Sequence, residues 1–101
     1  MSDTVEVHDN PAQHRYEISV AGELAGFAVY FLEKHRIVFI HTEVLPAYEG
    51  RGLGTRLARD TLDDVRGRGL RVLPACPFFA RFIGSHPEYQ DLTRVRDSTG
   101  P

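Results

Sequence analysis

The stretch Val44-Leu45-Pro46-Ala47-Tyr48-Glu49-Gly50-Arg51-Gly52-Leu53-Gly54 decides how this chain is read. Upstream of it, Ile37 to Val44 is β-branched and extended in character, which predicts a strand. Downstream, Leu53, Leu57, Ala58, Leu62 and Val65 recur at the spacing of one helical face, while Arg56, Arg59, Asp60, Asp63 and Arg66 fall elsewhere. A strand, a glycine turn and an amphipathic helix in that order can hold phosphate. The first N–H groups of a helix lack intrahelical partners, the helix dipole favours an anion there, and glycine has no Cβ to hold a ligand away from the backbone. The same pattern also serves simply to join a strand to a helix, so the turn alone does not define a ligand.

Two nucleotide-binding designs do not fit. A Walker loop needs Lys and then Ser or Thr after its last glycine, whereas Gly54 is followed by Thr55-Arg56. The dinucleotide fingerprint needs a third glycine further on, an acidic residue about 20 positions later and a larger fold than this chain provides.

Working outward, Tyr16, Ile18 and Val20 alternate, Ala21-Gly22-Glu23 supplies a turn, and Leu24 to Leu32 resumes an apolar, aromatic stretch. With a second connection at Glu33-Lys34-His35-Arg36, this predicts a three-stranded meander ending at Val44, and Val5 to His8 adds an edge strand. On the other side, Gly67 and Gly69 stop the helix, Leu70 to Leu73 reads as a short buried strand closed by Pro74, and Cys76-Pro77 opens a second helix. Phe78, Phe79, Phe82 and Ile83 form its apolar side.

The expected fold is therefore mixed α/β, a mostly antiparallel sheet with helices on its faces. Its 101 residues suffice for one core, placed over 1–93, with 94–101 as a polar, flexible tail. Hydrophobic and charged fractions of 42% and 26% are those of globular chains, and no apolar run approaches the ~20 residues that span a bilayer. The start, Met1 to Glu6, has neither basic nor apolar character, so a cytoplasmic location is expected. A net charge of −2 and a pI of 6.2 argue against nucleic-acid binding, although Arg51, Arg56, Arg59, Arg66, Arg68 and Arg71 gather enough positive charge mid-chain for a small phosphorylated ligand. The single cysteine, Cys76, excludes an internal disulfide, and nothing has zinc-site spacing, so no metal is expected.

The quoted stretch resembles the acetyl-CoA signature of the GNAT superfamily of N-acetyltransferases, in which Gln or Arg precedes the glycine turn. Here Glu49 stands at that position, and Arg51 and Arg56 supply positive charge instead. Together with His41-Thr42-Glu43-Val44, Pro74-Ala75-Cys76-Pro77-Phe78 and His86-Pro87-Glu88-Tyr89, the chain from about 14 to 92 looks like the small YjdJ-type branch, a truncated form of that fold. The resemblance implies acetyl-CoA as cofactor: Thr42 to Val44 offer strand backbone to its pantetheine arm, and Arg51, Gly52, Leu53, Gly54, Thr55 and Arg56 hold its pyrophosphate. It implies transfer of acetyl to a primary amine of a small molecule or peptide. The alternative is a non-catalytic acyl-CoA-binding or partner-binding module, and the acceptor and oligomeric state stay open.

Acetyl transfer to an amine needs a base, polarisation of the thioester carbonyl and a proton for the departing thiolate. Three residues are candidates. His41 and Glu43, two apart on a strand, project to one face beside the expected cofactor arm, and an imidazole, with an ordinary pKa of ~6.5, suits base catalysis near neutrality. Cys76, at a helix N-terminus, is a proton donor or a covalent acetyl carrier. The plainer alternatives are an edge hydrogen bond for His41, a solvated Glu43 and a packed Cys76. Tyr89 is expected to pack rather than to act as the tyrosine acid of many GNAT enzymes.

Overall fold

Period-two alternation builds the sheet, and the helices cover one side of it. The computed structural model describes residues 4–94, so the expected tail from position 95 onward lies outside the described residues. Strands β1 (Val5–Asn10), β2 (Arg15–Val20), β3 (Glu23–Glu33) and β4 (Arg36–Val44) pair antiparallel in sequence order. The chain then forms α1 (Leu53–Gly67), which returns it to β5 (Arg71–Pro74), parallel to β4 at the sheet edge. Helix α2 (Pro77–Gly84) and a 3-10 segment, Pro87–Thr93, follow.

The edge strand runs two residues further than expected, to Asn10, because Asp9 and Asn10 pair with Tyr16 and Arg15 before Pro11 removes the next donor. Between β2 and β3, Ala21 and Gly22 both take positive φ, 51° and 85°, the geometry of a two-residue hairpin turn. Gly69, at φ 73°, ends α1 as expected, its N–H bonded to the Arg66 carbonyl.

Tyr16, Ile18, Ala28, Tyr30, Ile37, Phe39 and Val72 turn one face of the sheet toward both helices, and all lie in one core cluster. From α1 come Leu57, Ala58, Leu62 and Val65; from α2, Phe79, whose ring stacks on Phe39 at 4.3 Å and 6°. The opposite face has no helix among the described residues. There Phe31, Ile40 and Leu73 remain 40–46% exposed, so of the strand expected to be buried, only Val72 is.

The C-terminal end of α1 is tied to the sheet by polar side chains. The Tyr16 hydroxyl donates to Asp64 at 2.5 Å, Tyr30 donates to Asp9 at 2.6 Å, and Arg68 bonds both Tyr16 and Asp9. Burial, reinforced by the Asp9 acceptor, pushes the Tyr30 phenol up to about 12; burial and Asp63 do the same to Tyr89, and Tyr16 is raised as well. A phenol whose pKa is higher folded than unfolded keeps more protons in the folded state, so its contribution is complete below its ordinary value of 10.0 and lost as pH rises through about 12. Unfolding free energy from urea titrations is expected to hold level up to about pH 9 and fall across that window. Tyr30→Phe should reduce the slope of that fall; an unchanged slope would show that Tyr30 is not protonation-linked to folding.

Candidate active site

A one-residue bulge in β4 organises the site. Tyr30 pairs with Phe39 and the preceding Val29 pairs with His41, which leaves Ile40 as the extra residue. A strand alternates its faces, so in a regular ladder His41, two residues after the inward Phe39, would also face inward. The extra residue reverses this. Thr42 and Val44 pair with Ala28 and Gly26 and face the helices, while His41 and Glu43 pair with Val29 and Phe27 on the open face. The β4–β5 ladder stops at Phe39–Pro74, although β4 continues to Val44. From Ile40 onward, the edge of β4 away from β3 has no strand beside it among the described residues.

Cys76 sits where the two strands part. Its N–H donates to the Phe39 carbonyl at 2.9 Å, and Pro77 begins α2 immediately after it. As N-cap of α2, its Sγ accepts from the Phe79 N–H at 3.4 Å, and it lies 3.2 Å from the Thr42 hydroxyl. The thiol is 2% exposed. His41 and Glu43 lie on the opposite side of the sheet, exposed, their side chains 3.1 Å apart and His41 beside the Phe27 ring. The three candidate catalytic groups thus flank β4 from two sides, with Cys76 on the helix side and the His41–Glu43 pair on the open side.

The glycines of the turn divide the work. Gly50 and Gly52 take positive φ, 81° and 75°, and a Cβ at either would meet nothing. They provide backbone conformation and open space. Gly54 instead admits the ring of Phe78, whose nearest atoms would lie 3.2 and 3.3 Å from a Cβ. The glycine expected to bring a ligand close therefore packs the first turn of α1 against α2. Gly52 caps α1 without a side-chain hydrogen bond, and the first turn carries no acidic residue.

The Leu53 side chain is buried, so it offers the turn only its backbone, whereas Thr55 is exposed. Arg51 lies over the Tyr48 ring at 5.5 Å. Arg56 turns toward β1, bonding Asp60 at 2.6 Å and the Val5 carbonyl at 3.4 Å. Tyr89 packs as expected: it is 5% exposed and donates to Asp63 at 2.8 Å. A cleft of about 560 Å³ lined by Val7, Asp9, Tyr16, Asp60 and Asp64, among others, includes none of the candidate residues.

Two features escape the sequence reading. One is Gly26, where a Cβ would come 2.7 Å from the Glu43 carbonyl oxygen and 3.2 Å from the Val44 Cα. A glycine inside a strand is itself a signal of close backbone approach. The other is the Thr42 hydroxyl, for which no local signal exists because its partner is 34 positions away.

The architecture is that of a GNAT-like α/β fold. It resembles a GCN5-like protein of Staphylococcus aureus solved by NMR, with a TM-score of 0.65 at 19% identity, covering 94% of this chain and 96% of that one. It also resembles the ribosomal-protein-S18-alanine N-acetyltransferase of Escherichia coli, with a TM-score of 0.57 at 16% identity, covering 90% of this chain and 76% of that one. Protein NATD1 of Bos taurus is 35% identical over 66 residues, 65% of this chain and 58% of the bovine protein, less than two thirds of its length. A family model described as GCN5-related N-acetyl-transferase matches residues 15–92, most of the chain. The chain belongs to the GCN5-related N-acetyltransferase family.

Substitution of the two packed glycines should separate their roles. Gly26→Ala forces backbone against backbone and is expected to cost about 2–3 kcal/mol; Gly54→Ala displaces only the Phe78 ring and should cost about 1 kcal/mol. Urea unfolding measures both. Equal or reversed costs would show that β3 and β4 separate more easily at Gly26 than the geometry implies.

Proposed function

We propose that the chain transfers acetyl from acetyl-CoA to a primary amine of a small molecule or peptide. The observation that carries this reading is the conjunction of the unpaired β4 edge with the uncapped, glycine-led start of α1. The groups present fit such a cofactor. The N–H groups of Leu53, Gly54 and Thr55 precede the first intrahelical bond, Arg56 N–H to the Gly52 carbonyl, and are suited to receive a pyrophosphate with Arg51 beside them. The β4 segment from Thr42 to Val44 offers backbone groups to an amide-bearing arm.

Bound acetyl-CoA would supply an activated acetyl thioester. Around it, each side of β4 does separate work. On the open face, His41 takes the proton of the incoming ammonium, directly or through water, and Glu43 at 3.1 Å steadies the resulting imidazolium. On the helix side, Cys76 either provides a proton for the departing thiolate or carries the acetyl group itself. The tyrosine acid of many relatives has no counterpart in Tyr89, whose hydroxyl is committed to Asp63.

Isothermal titration with acetyl-CoA and thiol release over a panel of amines test this function. Arg51→Ala is expected to weaken cofactor binding about tenfold, and His41→Ala to lower acceptor-stimulated CoA release about 10²-fold with little change in binding. Binding without acceptor-stimulated release across a broad panel would identify a non-catalytic acyl-CoA-binding module instead. Intact mass after incubation with acetyl-CoA alone separates the two roles of Cys76: an adduct that Cys76→Ser removes supports the carrier, and its absence at all times and pH values leaves direct transfer.

A further inference from the structure

We infer that Thr42 is a positioning residue for Cys76, its hydroxyl holding the sulfur in both the thiol and the thiolate state. The inference rests on the reading of Cys76 as the group that meets the acyl donor. Cys76 Sγ has two polar neighbours, the Phe79 N–H at 3.4 Å and the Thr42 hydroxyl at 3.2 Å. They are not equivalent. An N–H only donates, so it can bond the sulfur in either state but gives the S–H proton no acceptor. A hydroxyl both accepts and donates, so Thr42 can accept from the thiol and then donate to the thiolate without the sulfur moving.

The position itself favours this role over a packing one. Thr42 lies on a strand, faces the helix side opposite the fully buried Ala28, and is half-buried, an environment in which valine fits equally well. Its hydroxyl has no other hydrogen-bond partner among the described residues. The fold does not require the oxygen; the sulfur does. Only the bulge at Ile40 makes the contact possible, since in a regular strand Thr42 would face away from Cys76.

In the carrier route, a bond forms between Cys76 Sγ and the acetyl carbon while the thioester C–S bond breaks, and the proton lost by Cys76 ends on the released coenzyme thiol. The sulfur is charged between those events, and the Thr42 O–H then donates to it. In direct transfer, the same hydroxyl fixes the rotamer of the thiol.

The test uses the full chain without cofactor, where Cys76 is the only cysteine. The second-order rate of its modification by methyl methanethiosulfonate, followed by intact mass at neutral pH, is compared for wild type, Thr42→Val and Thr42→Ser. Loss of a hydrogen bond to a charged sulfur lowers the thiolate population about tenfold, and the gain in nucleophilicity of the remaining thiolate offsets part of it. Thr42→Val should therefore react about three- to fivefold more slowly, with Thr42→Ser within about twofold of wild type. Equal rates for wild type and the valine variant, or a serine variant as slow as valine, overturn the inference. Should the valine variant fail to fold, the S–H stretching band of Thr42→Ala decides: a band unmoved from wild type also overturns it. An absence of acetyl adduct in wild type would sink the carrier reading alone, because the modification rates do not depend on it.

Discussion

The extra residue in β4 is the constraint on which the rest of the site depends. Strands paired through a regular ladder keep each side chain's facing fixed along their length. Ile40 breaks that alternation just where β5, paired with β4 over its whole length, ends at Pro74. It ends the alternation that places Ile37 and Phe39 in the core, and it coincides with the last pair shared by β4 and β5. Beyond it, a strand edge is left without a neighbouring strand among the described residues, Thr42 is turned toward the thiol, and the His41–Glu43 pair is turned to the open face. A bulge is a local defect in pairing, and here, beside the point where β5 ends, it sets chemical groups on both faces of β4.

The position of that gap is held by packing on either flank. Cys76 is fixed through its backbone to Phe39, the residue just before the bulge, and the stack of Phe79 on Phe39 anchors α2 at the same place. Phe78 then rests against Gly54, so the helix that follows Cys76 is packed directly against the start of the helix that follows the glycine turn. At its far end α1 is tied down by the Tyr16, Tyr30, Asp9, Asp64 and Arg68 network. A helix start that is to bind an anion with its backbone gains from such rigidity, because its N–H groups need no reorganisation when the ligand arrives.

Much of this was legible in the chain. The meander, the amphipathic helix, its glycine stop and the start of α2 at Pro77 follow from periodicity and from the residues that punctuate it, which act over a few positions. The packing of Tyr89 followed from its place beyond the end of α2. Less legible was the division among the glycines. Gly50, Gly52 and Gly54 look alike in sequence, yet two adopt a left-handed backbone and the third makes room for a ring 24 positions away. The side on which Arg56 lies was likewise hidden, because Asp60, one turn on, draws it toward β1.

By itself, the sequence determined the kinds and order of the elements and the glycine turn that leads into a helix, since those depend on local backbone preference and on spacing along one strand or helix face. It also determined which residue types stand near that turn. Tertiary structure alone decided how they face one another. Whether Ile40 is an ordinary strand residue or an extra one is defined only by its pairing with β3, and nothing in His41-Thr42-Glu43 marks the reversal. That reversal places Thr42 with Cys76 and separates both from His41 and Glu43, because a shift of one residue moves every following side chain to the other face of the sheet.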